Sequence, residues 1–316
     1  MIWIIGAGPM AQDYIKVLQS FNIDFLCIGR GKDTADICKM KTGHHVFVGG
    51  LEKFLFEQNY EKPSHVIVAT NVESLFENCF LLLKQGIKNI LLEKPGALKY
   101  SEFLSLNNEA KKTNSNIYIA YNRRFYASVL KAKDLILEDG GVKSFNFDFT
   151  EWAHTIENLN KSLLAKNKWF LCNSTHVVDL AFFLGGKPKE LISYTQSDLD
   201  WHPSASSFCG VGISEKNALF SYQANWKSPG RWSVEILTDN YKLIFKPLEK
   251  LLIQKKGEIS IDFYKNIDYT LDTEYKPGLY LQLKNFLYNT TDSLCTLNEQ
   301  VAMLEFYYKI ANYTID

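Results

Sequence analysis

The chain has 316 residues, of which 46% are hydrophobic and 14% aromatic, enough to bury two cores and too apolar for a disordered protein. Lysine plus arginine balances aspartate plus glutamate, 35 against 35, so the net basic surface that a dedicated nucleic-acid or anionic-membrane binder needs is missing. The six cysteines are scattered without a CxxC pair, which argues against a zinc site or a disulfide scaffold and for reduced thiols.

Residues 2–5 read as a buried strand, 6–10 as a glycine-rich turn and 11–21 as a helix with Ile15, Leu18 and Phe21 on one side. No charged, apolar and cleavable leader precedes that strand, and no apolar run is long enough to span a bilayer. The expectation is a cytoplasmic protein without membrane or nucleic-acid partners, in which a sequon such as Asn289-Thr290-Thr291 has no meaning. Strands at 25–28, 46–48, 65–69, 89–92 and 117–120 alternate with helices at 51–58, 73–85 and 101–113. Gly86 is placed to cap the end of helix 73–85. This order is the βαβ pattern of a parallel sheet.

After residue 122 the pattern changes. A helix at 125–138 stops at Gly140-Gly141, and Phe145, Phe147 and Phe149 then alternate with polar residues at the period of a strand. Similar segments lie around 191–197, 207–213, 218–225, 232–237 and 241–245. One helix near 174–183 interrupts them, and helices at 279–288 and 298–311 close the chain. The predicted fold class is α/β, with a parallel-sheet domain over residues 1–122 and an α+β domain over 123–316. The second domain is expected to carry a large, mainly antiparallel open sheet, its terminal helices free to pack back on the first domain.

Gly6-Ala7-Gly8-Pro9-Met10-Ala11 sits between the first strand and the first helix. Gly6 permits a tight turn, Gly8 lets the backbone approach a pyrophosphate, and Ala11 is small where a GxGxxG motif has its third glycine. The helix start offers unpaired N–H groups to phosphates, and Pro9 in the first turn loses no needed donor. The first domain is therefore expected to be a Rossmann domain for a nicotinamide dinucleotide. NAD-binding chains usually end the second strand on a carboxylate. Here Ile28-Gly29-Arg30-Gly31-Lys32 has none before Asp33, and Arg30 and Lys32 suit a 2′-phosphate. NADP(H) is the expected cofactor, with NAD(H) as the alternative.

Leu91-Leu92-Glu93-Lys94-Pro95 ends a strand of this domain and resembles the EKP motif of the glucose–fructose oxidoreductase / inositol dehydrogenase / MocA (Gfo/Idh/MocA) family. Ala69-Thr70-Asn71, Tyr121-Asn122-Arg123-Arg124-Phe125 and Asn173-Ser174-Thr175-His176-Val177-Val178-Asp179 fit the same pattern in order and spacing across the whole chain. The resemblance implies an active site between the domains, with Ala69, Thr70, Asn71, Glu93 and Lys94 near the nicotinamide. Substrate contacts are implied for Lys94, Asn122, Arg124, Asn173 and His176, and a cis bond between Lys94 and Pro95. It further implies a homo-oligomer formed through the large sheet, no metal, and hydride transfer to or from a carbinol carbon of a sugar, inositol or sugar-nucleotide-like substrate.

Such chemistry moves a hydroxyl proton as the hydride moves. Lys94 can donate to the substrate oxygen and stabilise developing alkoxide charge. His176, with an ordinary pKa near ~6.5, can exchange the proton. Glu93 is expected to orient Lys94 or to cap backbone, Asp179 to orient its neighbours, and Asn122 and Arg124 fit a structural interdomain bond equally well. One departure stands out: better-known members of the family carry an aspartate four residues before the histidine, where this chain has Cys172. A neutral thiol cannot supply that charge. Two other functions stay open, a redox-assisted elimination or hydrolysis that recycles NAD and a non-catalytic NAD(P)-binding sensor. His44-His45 reads as solvent-facing, and Trp201-His202-Pro203 with the stretch 225–232 as either a carbohydrate-like surface or ordinary sheet.

Overall fold

The computed structural model describes residues 1–57, 60–288, 290 and 292–316. Gln58, the end of the predicted helix 51–58, and Asn289 and Thr291 of the sequon lie outside the described residues. The chain divides into two compact units, Met1–Asn122 with Leu271–Ala302 and Asp316, and Arg123–Thr270 with Met303–Ile315.

Short runs of four or five apolar residues make strands covered on both faces, because helices have to return the chain to the same edge. Ile2–Ile5 (β1) is fully buried in this way. It is followed by α1 (Pro9–Ser20), β2 (Phe25–Gly29), α2 (Lys32–Thr42), β3 (Val46–Val48) and α3 (Gly50–Glu57). Then come β4 (His65–Val68), α4 (Leu75–Lys84), β5 (Asn89–Leu92), α5 (Tyr100–Thr113) and β6 (Asn116–Ile119).

A 3₁₀ turn at Asn122–Phe125 leads into the second unit, where α6 (Ala127–Glu138) is followed by β7 (Ser144–Asp148), α7 (Ala153–Ile156) and α8 (Leu163–Asn167). A π-helical turn at Phe170–Ser174 leads into α9 (Thr175–Gly185). The strands β8 (Pro188–Gln196), β9 (Ser207–Ser214), β10 (Leu219–Asn225), β11 (Ser233–Leu237) and β12 (Tyr241–Phe245) follow, then β13 (Leu252–Lys255) and β14 (Asp262–Phe263). The chain closes with α10 (Thr270–Glu274), α11 (Leu279–Leu287), β15 (Cys295–Thr296) and α12 (Leu297–Ala311).

The first sheet has the order β15-β6-β5-β4-β1-β2-β3, parallel except where β15 runs against β6. Strand order reverses direction between β1 and β4, so their carboxyl ends flank the crevice where open α/β sheets bind ligands. In the same unit Tyr280 of α11 meets Phe21, with ring centroids 4.8 Å apart, and Phe286 meets the rings of His65 and Tyr118.

The second sheet has eight strands in the order β14-β13-β12-β11-β7-β10-β9-β8. Every pair is antiparallel except β7 with β10. Burial alternates along β7 and β10, and Phe145, Phe147, Phe220 and Tyr222 stack across strands on the covered face. The predicted fold class is the observed one. Between the strands at 25–28 and 46–48, where no element is expected, the structure has the helix α2, of which Lys32 is the first residue. Helix 125–138 begins two residues later than expected, because the 3₁₀ turn occupies Phe125.

Candidate cofactor and active site

In the first unit the site begins at the carboxyl end of β1. Gly6 has φ +124°, and a Cβ there would lie 2.2 Å from the Ala69 carbonyl oxygen, so only glycine lets β1 and β4 leave the sheet together. Gly8 is the N-cap of α1 at φ −74°, and a Cβ on it would meet no atom within 4 Å. Pro9 follows as the first helical residue, and the first main-chain bond of α1 runs from the Gln12 N–H to the Gly8 carbonyl at 3.1 Å. The N–H groups of Met10 and Ala11 precede that bond and have no acceptor within the helix. Ala11 is fully buried.

Arg30 and Lys32 are exposed at the end of β2 and the start of α2, and Gly49 donates its N–H to the Arg30 carbonyl. Among the described residues neither side chain makes an ion pair or hydrogen bond. Ala69 is buried, its N–H bonded to the Ile5 carbonyl at 2.8 Å, while Thr70 is half-buried and Asn71 exposed. Glu93 is buried and accepts from the Tyr14 hydroxyl at 2.8 Å. Burial raises its carboxyl above the ordinary value, against the opposing pull of the Lys94 charge and the Tyr14 bond. Lys94 is half-buried, and the Lys94–Pro95 bond is cis, as the resemblance implies. Asn122 is buried and donates to the Pro277 carbonyl at 2.9 Å.

In the second unit Arg124 is buried against Asp179, donating from Nε at 2.8 Å and Nη2 at 2.5 Å, with its guanidinium over the Phe183 ring. His176 is the second residue of α9, 7% exposed, with the Trp232 ring centroid 6.3 Å from its own. Asn173 stands in the π-helical turn just ahead and donates to Glu151 Oε1 at 2.9 Å. Ser174 donates to the same oxygen at 2.8 Å, while Oε2 faces Arg231 Nη1 at 3.6 Å. Glu151 is 2% exposed, and burial pushes its carboxyl up to about 7 in spite of these donors. Arg231 lies over the rings of Trp152 and Trp232, and Arg123 also lies over Trp232. Cys172 is buried in the same π-helical turn.

Glu151 and Tyr14 did not emerge from sequence reasoning. Tyr14 sits on the apolar face of α1, where an aromatic is ordinarily core, and Glu151 follows a strand with no motif around it. Trp201, His202 and Trp226 are buried against one another, with Trp201 and Trp226 stacked, their ring centroids 5.9 Å apart and 9° from parallel, and His202 tilted against Trp226 at 4.6 Å. These three rings are core, while Asn225, Lys227, Ser228 and Arg231 of the same stretch are exposed beside Trp152, so the stretch divides between the two readings. His44 stacks on Phe25. Among the described residues no group of His, Cys, Asp or Glu is placed to hold a metal ion, and no helix is long and apolar enough to cross a membrane.

No protein-family model and no curated protein matches the sequence. Solved structures do match it over 98% of its length. One is the WlbA dehydrogenase from Chromobacterium violaceum in complex with NADH and UDP-GlcNAcA, with TM-score 0.73, 16% identity and 92% of that chain covered. Another is the UDP-N-acetylglucosamine 3-dehydrogenase GnnA from Acidithiobacillus ferrooxidans, with TM-score 0.74, 12% identity and 95% covered. A third is a levoglucosan dehydrogenase in complex with NADH, with TM-score 0.77, 14% identity and 95% covered. Identity this low speaks for architecture alone, and the chain shares the architecture of these dehydrogenases.

Proposed function

We propose that the chain is an NAD(P)-dependent dehydrogenase or reductase acting on a CH–OH carbon of a sugar, inositol or sugar-nucleotide-like substrate. Gly8 carries this reading. Its φ suits any residue and its missing side chain relieves no contact, so neither backbone nor packing calls for glycine there. Space for a pyrophosphate against the N–H groups of Met10 and Ala11 does call for it. The similar structures include two solved with NADH and two whose names carry a sugar nucleotide, which supports the same substrate class.

Gly6, Gly8, Pro9, Met10 and Ala11 would hold the pyrophosphate, and Arg30 and Lys32 a 2′-phosphate, giving a preference for NADP(H) over NAD(H). Ala69, Thr70, Asn71, Glu93 and Lys94 would surround the nicotinamide end. The bound dinucleotide supplies the hydride acceptor or donor. Lys94 donates to the substrate oxygen, and His176 exchanges the proton with solvent. Asn173 is anchored on Glu151, and Asn122 and Arg124 are committed to the Pro277 carbonyl and Asp179, so we assign these three to holding the fold of the site. The outer face of the large sheet exposes Ile192, paired across strands with Val211, together with Tyr194 and Leu219, an apolar surface suited to a second copy of the chain. A cytoplasmic location accompanies this reading.

The test combines dinucleotide titration with a turnover screen over sugars and sugar nucleotides, followed by nicotinamide absorbance. Gly8→Val should fold normally and lose at least about tenfold in dinucleotide affinity, or about 1.4 kcal/mol. Lys94→Ala should keep that affinity and lose about 10²–10³ in turnover. Undiminished dinucleotide binding by folded Gly8→Val would overturn the reading.

A further inference from the structure

We propose that Glu151 is the positioning carboxyl of the reaction site and sets the proton affinity of His176. The inference rests on the dehydrogenase reading, but its geometry lies wholly within the second unit. Cys172 stands where the resembled family places a carboxylate, and it lies in a π-helical turn whose next two residues turn their donors toward Glu151. The carboxyl that reaches this turn comes from the exit of β7.

Its two oxygens are used differently. Oε1 accepts from both Asn173 and Ser174, which anchors the start of α9. Oε2 has Arg231 at 3.6 Å, too long for a good hydrogen bond. A glutamine could accept both bonds at Oε1, so anchoring alone does not call for a charge in so buried a place. What the carboxyl adds is an ionisable group bonded to the turn that leads into His176. Asn173 and Ser174 are the third and second residues before that histidine, and Arg231 lies over Trp232, the ring beside it.

The charged groups acting on Glu151 are Arg231 and Arg123, with Glu249 acting on Arg123 in turn, and the Trp169 indole also faces it. Ionised Glu151 stabilises the imidazolium and so raises the proton affinity of His176. As pH falls through about 7, Glu151 takes up a proton and that support is withdrawn. The two groups therefore titrate as a coupled pair.

The experiment follows the ¹⁵N imidazole signals of His176 in the full chain from about pH 5 to 9, a range that brackets the ordinary histidine value. The signals are identified by their loss in His176→Asn. The native curve should show two inflections, one near 7. Glu151→Gln, which keeps the Oε1 bonds, should leave one inflection and lower the midpoint by about half a pH unit or more. Arg231→Gln, a change at an exposed side chain, should keep both inflections and move the Glu151 step upward, because the lost cation no longer favours the charged form. In the active enzyme, Glu151→Gln should remove the matching step from the acid limb of kcat/KM.

A His176 curve in Glu151→Gln that superimposes on the native one overturns the proposal. If that variant does not fold, a single native inflection unmoved by Arg231→Gln overturns it equally. Coupled titration in a chain that neither binds a dinucleotide nor turns over any substrate would instead count against the dehydrogenase reading.

Discussion

The turn after β1 and the corner after β7 both begin where a strand ends, yet they hold polar chemistry by different means. At the first, the donors are main-chain N–H groups of Met10 and Ala11, and side chains matter through their absence at Gly6 and Gly8. At the second, the donors and acceptors are side chains brought from three stretches, Glu151, Asn173 with Ser174, and Arg231. A main-chain site is written in consecutive residues and tolerates change elsewhere. A side-chain web depends on each distant partner arriving, so damage there should reach the fold itself.

The sharpest test of that contrast is Arg124→Ala. It strands Asp179, a buried carboxylate of α9, without its bidentate partner. Breaking such a pair typically costs about 3–5 kcal/mol, read here from urea unfolding. A loss below about 1 kcal/mol would mean that the second unit does not depend on its buried polar bonds, and the contrast would fail.

His202 provides a second test in the same unit. Burial lowers its imidazole from 6.5 to about 4, with Nδ1 donating to the Ala205 carbonyl and Nε2 accepting from the Tyr313 hydroxyl. Between those two values the unfolded chain binds the proton and the folded chain refuses it. The stabilisation is therefore complete above about 6.5 and is lost as pH falls toward 4. At about 1.4 kcal/mol per pH unit, the loss is on the order of 3 kcal/mol. Melting temperature measured against pH should show it, and His202→Gln should flatten the curve in that window. A native melting temperature that stays level from pH 6.5 to 4 would contradict the assignment.

The smallest effect belongs to the first unit. Arg30→Ala with Lys32→Ala should leave the melting temperature unchanged, since both side chains are exposed and make no bonds among the described residues. The pair should lower NADP affinity by about tenfold relative to NAD, roughly 1.4 kcal/mol. Native protein that binds NAD more tightly than NADP would remove the proposed preference and leave the dinucleotide turn standing.

What could be read from the sequence follows the same division. The six parallel strands of the first sheet, the glycine turn and the helix start are carried by local runs and spacing, and the strands lie within a residue of where the pattern puts them. The helix α2 escaped because only Ala35 and Cys38 of its eleven residues are buried, leaving no apolar stripe to see. The π-helical turn escaped because its wider winding breaks the 3.6-residue period on which helix reading depends. Glu151 looks like any glutamate at a strand end; its burial is decided by partners 22, 23 and 80 residues away. Trp201, His202 and Trp226 stayed between two readings for a related reason, since aromatic and polar groups near a sheet look alike whether they meet solvent or one another.

The strand β15 gives the first unit a property that matters to anyone dividing the gene. It pairs with β6 through Cys295 against Ile119 and Thr296 against Tyr118, and α11 covers the same unit with Leu279, Leu283 and Phe286 buried. These pieces are translated only after the whole of the large sheet has emerged. A fragment ending at Asn122 would carry the glycine turn and every parallel strand, yet its β6 would be a bare edge open to pairing with other chains. On the ribosome the same edge waits until the chain returns, so the unit that starts first is among the last to be completed.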